Sequence, residues 1–259
     1  MPSFASPAIM LRRIDYGDYD LIITFFTLKN GKTSVIAKSA KKSTKRFSGI
    51  LELFSVLDIV CSTGRRGKAL FVLQEATLKH PFPGIRSDII QTAYASYWAE
   101  VINEWMENGQ EQKEIYYLFE HVLSELDLGR IPAGALSILF QMRFMTILGF
   151  QPNLSCCCVC QKEIAYIKEN NFAFDLAKGG LVCHGCEPVT LKKIYLSKGT
   201  VKQLQWIKCG DFSRAMRMKL SSQAIVEGLA FMEAFVPYHL EKDLRSLKFL
   251  KQMENYQVS

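Results

Sequence analysis

The 259-residue chain lacks a long apolar run. Its longest uncharged stretch, residues 144–161, is interrupted by Gly149, Pro152 and Asn153, so no membrane-spanning helix is expected. Met1-Pro2-Ser3-Phe4-Ala5 has no basic segment followed by an apolar one, so no export signal is expected. The eight cysteines are accordingly expected to be reduced thiols in a cytoplasm. Histidine is scarce, at four residues, and none falls in a triad pattern. No Gly-rich dinucleotide fingerprint occurs. Gly31-Lys32-Thr33 looks like the end of a phosphate-binding loop, but Phe26 stands where that motif requires glycine, and a hairpin turn accounts for it. His239-Leu240-Glu241 has the H-x-E form of zinc deaminases. There it precedes a P-C-x-x-C; here it follows both C-x-x-C pairs, and chance is the better account. No period of 20–50 residues repeats, which excludes a solenoid. These absences argue against an enzyme, and no catalytic residue is expected.

What is present is charge in one place. Residues 1–80 hold 13 Lys/Arg against 6 Asp/Glu, which is the whole of the net +7; residues 81–259 are balanced. An excess confined to one segment points to a phosphate-facing surface there.

That segment reads as β. Residues 7–14, 20–28, 33–38, 50–61 and 69–73 are β-rich runs, with Asn30-Gly31 a hairpin signal between the second and third. Five strands in this length fit an OB-fold barrel, although strand count alone does not exclude an SH3-like one. Its cations cluster as Arg12 and Arg13, as Lys38, Lys41, Lys42, Lys45 and Arg46 in a loop, and as Arg65, Arg66 and Lys68 in a turn. A solvated charge run is the bland reading. Three clusters on one barrel favour nucleic-acid binding, because OB-folds hold oligonucleotides across one face and its loops.

From residue 87 the period becomes helical. Ile90, Tyr94, Val101 and Trp105 share a stripe with Ala93, Tyr97 and Trp98, which reads as core rather than a base-stacking surface. A second helix is expected from Glu111 to Leu128-Gly129. A third follows Pro132 and ends at Gly149. Helical periodicity returns after Ser197, with Pro237 expected to break the helix carrying Ile225, Leu229, Met232 and Val236. A last helix carries Leu244, Leu247 and Leu250. The expected domains are 1–80 (barrel), 81–150 (helical), 151–190 (cysteine-rich) and 191–259 (helical), an α+β multidomain architecture.

Cys157-x-x-Cys160 and Cys183-x-x-Cys186 are the strongest local signal. Two such knuckles placed face to face offer four thiolates to one structural Zn2+, and four protein ligands leave no open position for catalysis. A redox pair, an iron–sulfur cluster and disulfides compete. Spacing and compartment favour zinc. Phe172-Ala173-Phe174 and the Gly179-Gly180 turn could supply a hairpin between the knuckles. Cys156, Cys158 and His184 read as bystanders, Cys61 and Cys209 as isolated apolar residues.

The order of basic barrel, helices, paired knuckles and further helices resembles the bacterial recombination-repair family RecO over nearly the whole chain. Residues carrying the likeness are Ile9-Met10-Leu11-Arg12-Arg13-Ile14-Asp15-Tyr16-Gly17-Asp18-Tyr19-Asp20, Val35-Ile36-Ala37-Lys38-Ser39-Ala40-Lys41-Lys42, Leu148-Gly149-Phe150-Gln151-Pro152-Asn153-Leu154 and Leu244-Arg245-Ser246-Leu247-Lys248-Phe249-Leu250. The family often has Gly where Ser39 stands and Pro-Phe where Leu53-Phe54 stands. The resemblance implies binding of single- and double-stranded DNA, annealing of complementary strands and action with RecR. It also implies recognition of the acidic tail of single-strand-binding protein (SSB) and help in loading RecA. The runner-up is a zinc-ribbon protein acting on RNA or in transcription; a metal enzyme is a further alternative.

Overall fold

The structure, a computed structural model, describes residues 3–43, 45–63, 70–188, 194–209, 215 and 219–258. The chain divides into two compact units, Met1–Arg130 with Leu244–Ser259, and Ile131–Asp243.

The first unit begins with a closed five-stranded barrel of order β1-β2-β3-β5-β4, the OB-fold arrangement. Its strands are β1 (Ser3–Tyr16), β2 (Asp20–Thr27), β3 (Gly31–Ala37), β4 (Val56–Thr63) and β5 (Phe71–His80). Closure rests on β1, which is long enough to pair with β4 through Ser3–Ile9 and with β2 through Ala8–Tyr16. A short parallel pairing of Val35 with Phe71 and Ile36 with Val72 completes the ring. Alternating residues turn inward. Met10, Leu21, Ile23, Phe25, Val35, Leu57, Ile59 and Leu73 form the core, joined by Cys61, whose thiol burial pushes up to about 12.

Strand ends differ from the sequence expectation: β1 runs over Ser3–Tyr16 rather than 7–14, because β4 and β2 supply partners at its two ends. β4 starts at Val56 rather than at residue 50, because Phe54 takes a left-handed backbone (φ 69) and its N–H bonds Met10 O at 3.0 Å, as a turn would. β5 continues to His80 because β4 supplies partners as far as Val56↔His80.

Helices follow: α1 (Pro83–Ser87), α2 (Ile89–Trp105) and α3 (Lys113–Leu128). Asp88 caps α2 by accepting from the N–H groups of Ile90 (2.8 Å) and Gln91 (3.0 Å). Gly129, at φ 61, ends α3 where expected. The aromatic stripe of α2 is core: Tyr94, Tyr97 and Trp98 are buried. On the outside of the barrel, Phe26 packs against Tyr116 of α3, ring centroids 6.0 Å apart. The α2–α3 connection meets the β2–β3 turn, where Gly31 lies against Gln110 so closely that a Cβ would stand 1.8 Å from the Gln110 carbonyl oxygen. The final helix, α7 (Arg245–Val258), belongs to this unit. Glu100 of α2 sits at its N-terminus, accepting from the Ser246 N–H at 2.8 Å.

The second unit contains α4 (Ala133–Ile147), a four-stranded sheet, α5 (Lys198–Cys209) and α6 (Ser222–Leu240). The sheet has the order β6-β8-β7-β9, from β6 (Asn153–Cys157), β7 (Asn171–Asp175), β8 (Gly180–Val182) and β9 (Ile194–Ser197). Phe174 of β7 packs on Phe231 of α6 at 4.6 Å between centroids. α6 runs through Pro237 rather than breaking there. The proline removes one donor in the last turn only, and the helix stops at Glu241 (φ 55). Among the described residues no helix is long and apolar enough to cross a membrane.

Candidate metal centre and nucleic-acid interface

The cysteine cluster is assembled by the sheet of the second unit. Cys157 closes β6, and Cys160 follows in a turn whose Gln161 adopts φ 61, with Gln161 N–H bonded to Cys157 O at 2.9 Å. Cys183 follows β8, and Cys186 ends a 3-10 turn, its N–H on Cys183 O at 2.9 Å. The β7–β8 hairpin at Phe172-Ala173-Phe174 and Gly179-Gly180 joins the knuckles. Gly180 is required there: a Cβ would meet those of Cys158 at 3.0 Å and Asn153 at 3.3 Å.

The four sulfurs of Cys157, Cys160, Cys183 and Cys186 lie within 4.8 Å of one another, with Cys160 and Cys183 at 3.8 Å. A disulfide requires about 2.05 Å. A tetrahedron of thiolates around an ion with metal–sulfur bonds of about 2.3 Å has edges of about 3.8 Å. The donor chemistry agrees. Burial opposes charge on Cys157, but the backbone N–H groups of Cys160, Cys183 and Val159 outweigh it and bring that thiol down to about 6. Burial pushes Cys183 up to about 12, and the adjoining sulfurs add to the rise. Thiolates this close coexist around a cation, so these residues can hold a metal ion.

The neighbouring candidates are turned away. Cys156 Sγ contacts the side chains of Asn153 (3.3 Å) and Gln161 (3.6 Å). The His184 ring is exposed, 3.8 Å from Glu187, while the backbone N–H of His184 donates to Glu169 at 2.8 Å. Glu169 orders the second knuckle, a part for which its sequence carries no signal. His239 packs among Phe235 (4.5 Å) and Phe150 (5.1 Å), and the four cysteines alone among the described residues form a metal-competent group.

The described loop cations gather at the turn end of the β1–β2 hairpin. From Arg12 to Tyr16, β1 is exposed on both faces. Arg13 donates to Leu51 O at 2.7 Å and pairs with Glu52 at 3.4 Å. The loop after β3 is tethered rather than merely solvated. Ala40, in a 3-10 turn (Ala40–Lys42), inserts into the barrel core with Phe47. Ser39 takes φ 53, a backbone region that favours glycine, with its N–H on Asp20 Oδ1 at 2.7 Å. The Lys41 N–H bonds Tyr19 O at 3.0 Å, and its ammonium pairs with Asp15 at 2.8 Å. Lys42 Nζ stands 3.4 Å above the Tyr19 ring. Arg46 donates to Lys38 O at 2.8 Å and lies over Phe47. Lys38, Lys41, Lys42, Lys45 and Arg46 are all exposed. Arg65, Arg66 and Lys68 lie outside the described residues. The structure thus brings Arg13 and the loop cations to one region of the barrel, while Arg12 lies on the other face of β1.

An OB-fold barrel followed by helices and a four-cysteine module defines the class of molecule. A family described as recombination protein O, N terminal, matches residues 1–82, and recombination protein O, C terminal, matches residues 86–248. A DNA repair protein RecO of Desulfosudis oleivorans is 42% identical over 99% of this chain and 100% of its own length. That of Desulfatibacillum aliphaticivorans is 43% identical over 98% of each. That of Anaeromyxobacter sp. (strain K) is 31% identical over 95% of this chain and 94% of the relative. The chain belongs to the RecO family.

Proposed function

We propose that this protein is a cytoplasmic, non-catalytic DNA-binding protein of recombinational repair. It binds single- and double-stranded DNA, anneals complementary strands and, with RecR, helps load RecA onto SSB-coated DNA. The observation that carries this reading is the grouping of exposed cations on the barrel. Two strands repel one another; a surface that neutralises phosphates and releases counterions lets them approach, and base pairing then supplies the specificity. Lys38, Lys41, Lys42, Lys45 and Arg46 form the main phosphate-binding loop, with Arg12 and Arg13, and with Arg65, Arg66 and Lys68, adding to it. The loop suits this work because its base is fixed in the barrel core while its cationic residues are exposed.

Cys157, Cys160, Cys183 and Cys186 hold one structural Zn2+. The acidic SSB tail docks on the helical part. Arg86 is a weak candidate for it, since its guanidinium donates to the Pro81 carbonyl. Arg130 and Arg143 remain candidates.

The test replaces Lys41, Lys42, Lys45 and Arg46 together with Ala. Each lost phosphate contact should lower the salt slope of binding by about 0.7 for single strands and about 0.9 for duplex. Both DNA forms should bind more weakly and annealing of SSB-coated strands, with or without RecR, should slow, at unchanged melting temperature. The control replaces Lys192 and Lys193, a basic pair outside the barrel. A loop variant with wild-type slope, beside a control that loses its slope, would place DNA elsewhere. Preference for structured RNA over single-stranded DNA would favour the transcription reading instead.

A further inference from the structure

We infer that Tyr16 and Tyr19, at the tip of the β1–β2 hairpin, are a stacking platform for unpaired bases, which makes this end of the barrel selective for single-stranded nucleic acid. The inference rests on the proposed phosphate-binding loop and adds to it the contacts that the base makes.

The tip carries three large apolar side chains in water. Tyr16 is 54% exposed, Tyr19 44% and Ile14 41%. A single exposed tyrosine is ordinary. These three sit where β1 leaves the body of the barrel, and side-chain alternation puts Arg12, Ile14 and Tyr16 on one face of the strand. The turn is held in place. Gly17 supplies the left-handed residue it needs (φ 57), and Tyr16 pairs with Asp20 across it. The Tyr19 carbonyl accepts from the Lys41 N–H. The rings are therefore presented on a fixed hairpin and lose little freedom on binding.

Their surroundings specify the ligand. Lys42 Nζ lies 3.4 Å from the Tyr19 ring centroid, the Lys41 N–H is bonded to the Tyr19 carbonyl, and Arg12 shares the Tyr16 face of β1 four residues away. Three acids share the tip: Asp15 pairs with Lys41, Asp20 accepts from the Ser39 N–H, and Asp18 stands in the turn, so Lys42 is the cation that accompanies the ring. A ring beside an ammonium group matches a base beside a phosphate, whereas an apolar peptide would have no use for the cations. Stacking uses the π-face of a base and leaves its pairing edge open. A strand held this way can still meet its complement. A duplex keeps its faces covered by neighbouring pairs, so it would touch only the cations.

The experiment measures affinity for a single-stranded oligonucleotide and for the duplex of the same length, each against salt, on the full chain. The variants are Tyr16→Ala, Tyr19→Ala and each residue replaced by Phe or Leu, with Tyr166→Ala, an exposed tyrosine of the other unit, as control. Stacking on an aromatic ring contributes about 1–3 kcal/mol per base. Each Ala or Leu variant should therefore weaken single-strand binding by roughly 5- to 150-fold, leave duplex binding within about twofold and keep the salt slope. The Phe variants and the Tyr166 control should bind as wild type. Ala variants that bind single strands normally, or that lose single-strand and duplex binding in parallel, overturn the inference. If the four-cation loop variant binds normally while the tyrosine variants lose single strands, the loop assignment fails and the platform stands. Wild-type protein that binds neither form sinks both.

Discussion

The barrel and the cysteine module solve the same problem with different means. The barrel closes its sheet, so it has no unpaired edge, and it fills the interior with Met10, Ile23, Phe25, Leu57 and their neighbours. The module places one side of its sheet on α6 through Phe174. Around the knuckles its interior is reduced to Cys157, Val182 and Cys183, with Ile167, Cys158 and Cys186 beside them. So small an apolar cluster cannot order two loops by burial. Four sulfurs around one ion can, because metal binding is then folding free energy. One region is stabilised by area; the other has the donors for stabilisation by a metal ion.

The sharpest way to separate them is to remove a ligand. Apparent binding energies of structural zinc reach about 10–16 kcal/mol in isolated fingers. Cys160→Ser or Cys183→Ser should therefore abolish stoichiometric metal in elemental analysis, open the module to proteolysis and lower solubility. The barrel should keep its hydrogen-exchange protection. Purified wild-type protein carrying iron or no metal would refute the zinc assignment.

The reverse break is Gly31→Ala. Its Cβ would enter the Gln110 carbonyl, and its backbone sits at φ 57. Backbone atoms cannot step aside as a flexible side chain can. We expect a loss of roughly 3 kcal/mol or more in the first unit with metal content unchanged, read by denaturant unfolding. Unaltered stability would show that the β2–β3 turn and the α2–α3 connection are not in this contact.

The smallest effect sharpens the barrel side. Ser39→Gly should relieve a left-handed backbone and raise stability by up to about 1 kcal/mol in thermal melting, while DNA affinity stays as it was. The backbone gives the reason: at φ 53 serine adopts this turn at a cost that glycine avoids.

Much of this architecture was legible in the chain. Strands one to three and the helix ends at Gly129 and Gly149 follow from period and from residues with one conformational use. The ends of β4 and β5 were not legible, because Phe54 turns only in answer to Met10, and β5 runs on only while β4 offers partners. Pro237 misled for a local reason: a proline in the last turn costs one donor, which packing of α6 tolerates. β9 escaped notice because four residues carry no readable period.

By itself the sequence determined which chemistry was available: thiols in pairs with a two-residue spacer, and a cation excess, 13 Lys/Arg against 6 Asp/Glu, confined to residues 1–80. Ligand type and short-range spacing are properties of the chain, and they survive any fold. Only the tertiary structure decided which thiols meet. Cys156 and Cys158 are chemically equal to Cys157 and Cys160, yet the parallel pairing of β6 with β8 brings the latter two to Cys183 and Cys186. It likewise decided that Lys42 lies over Tyr19, residues separated by a strand pair, since the antiparallel pairing of β2 with β3, Leu21 opposite Ala37, and the burial of Ala40 carry that loop back to the hairpin tip.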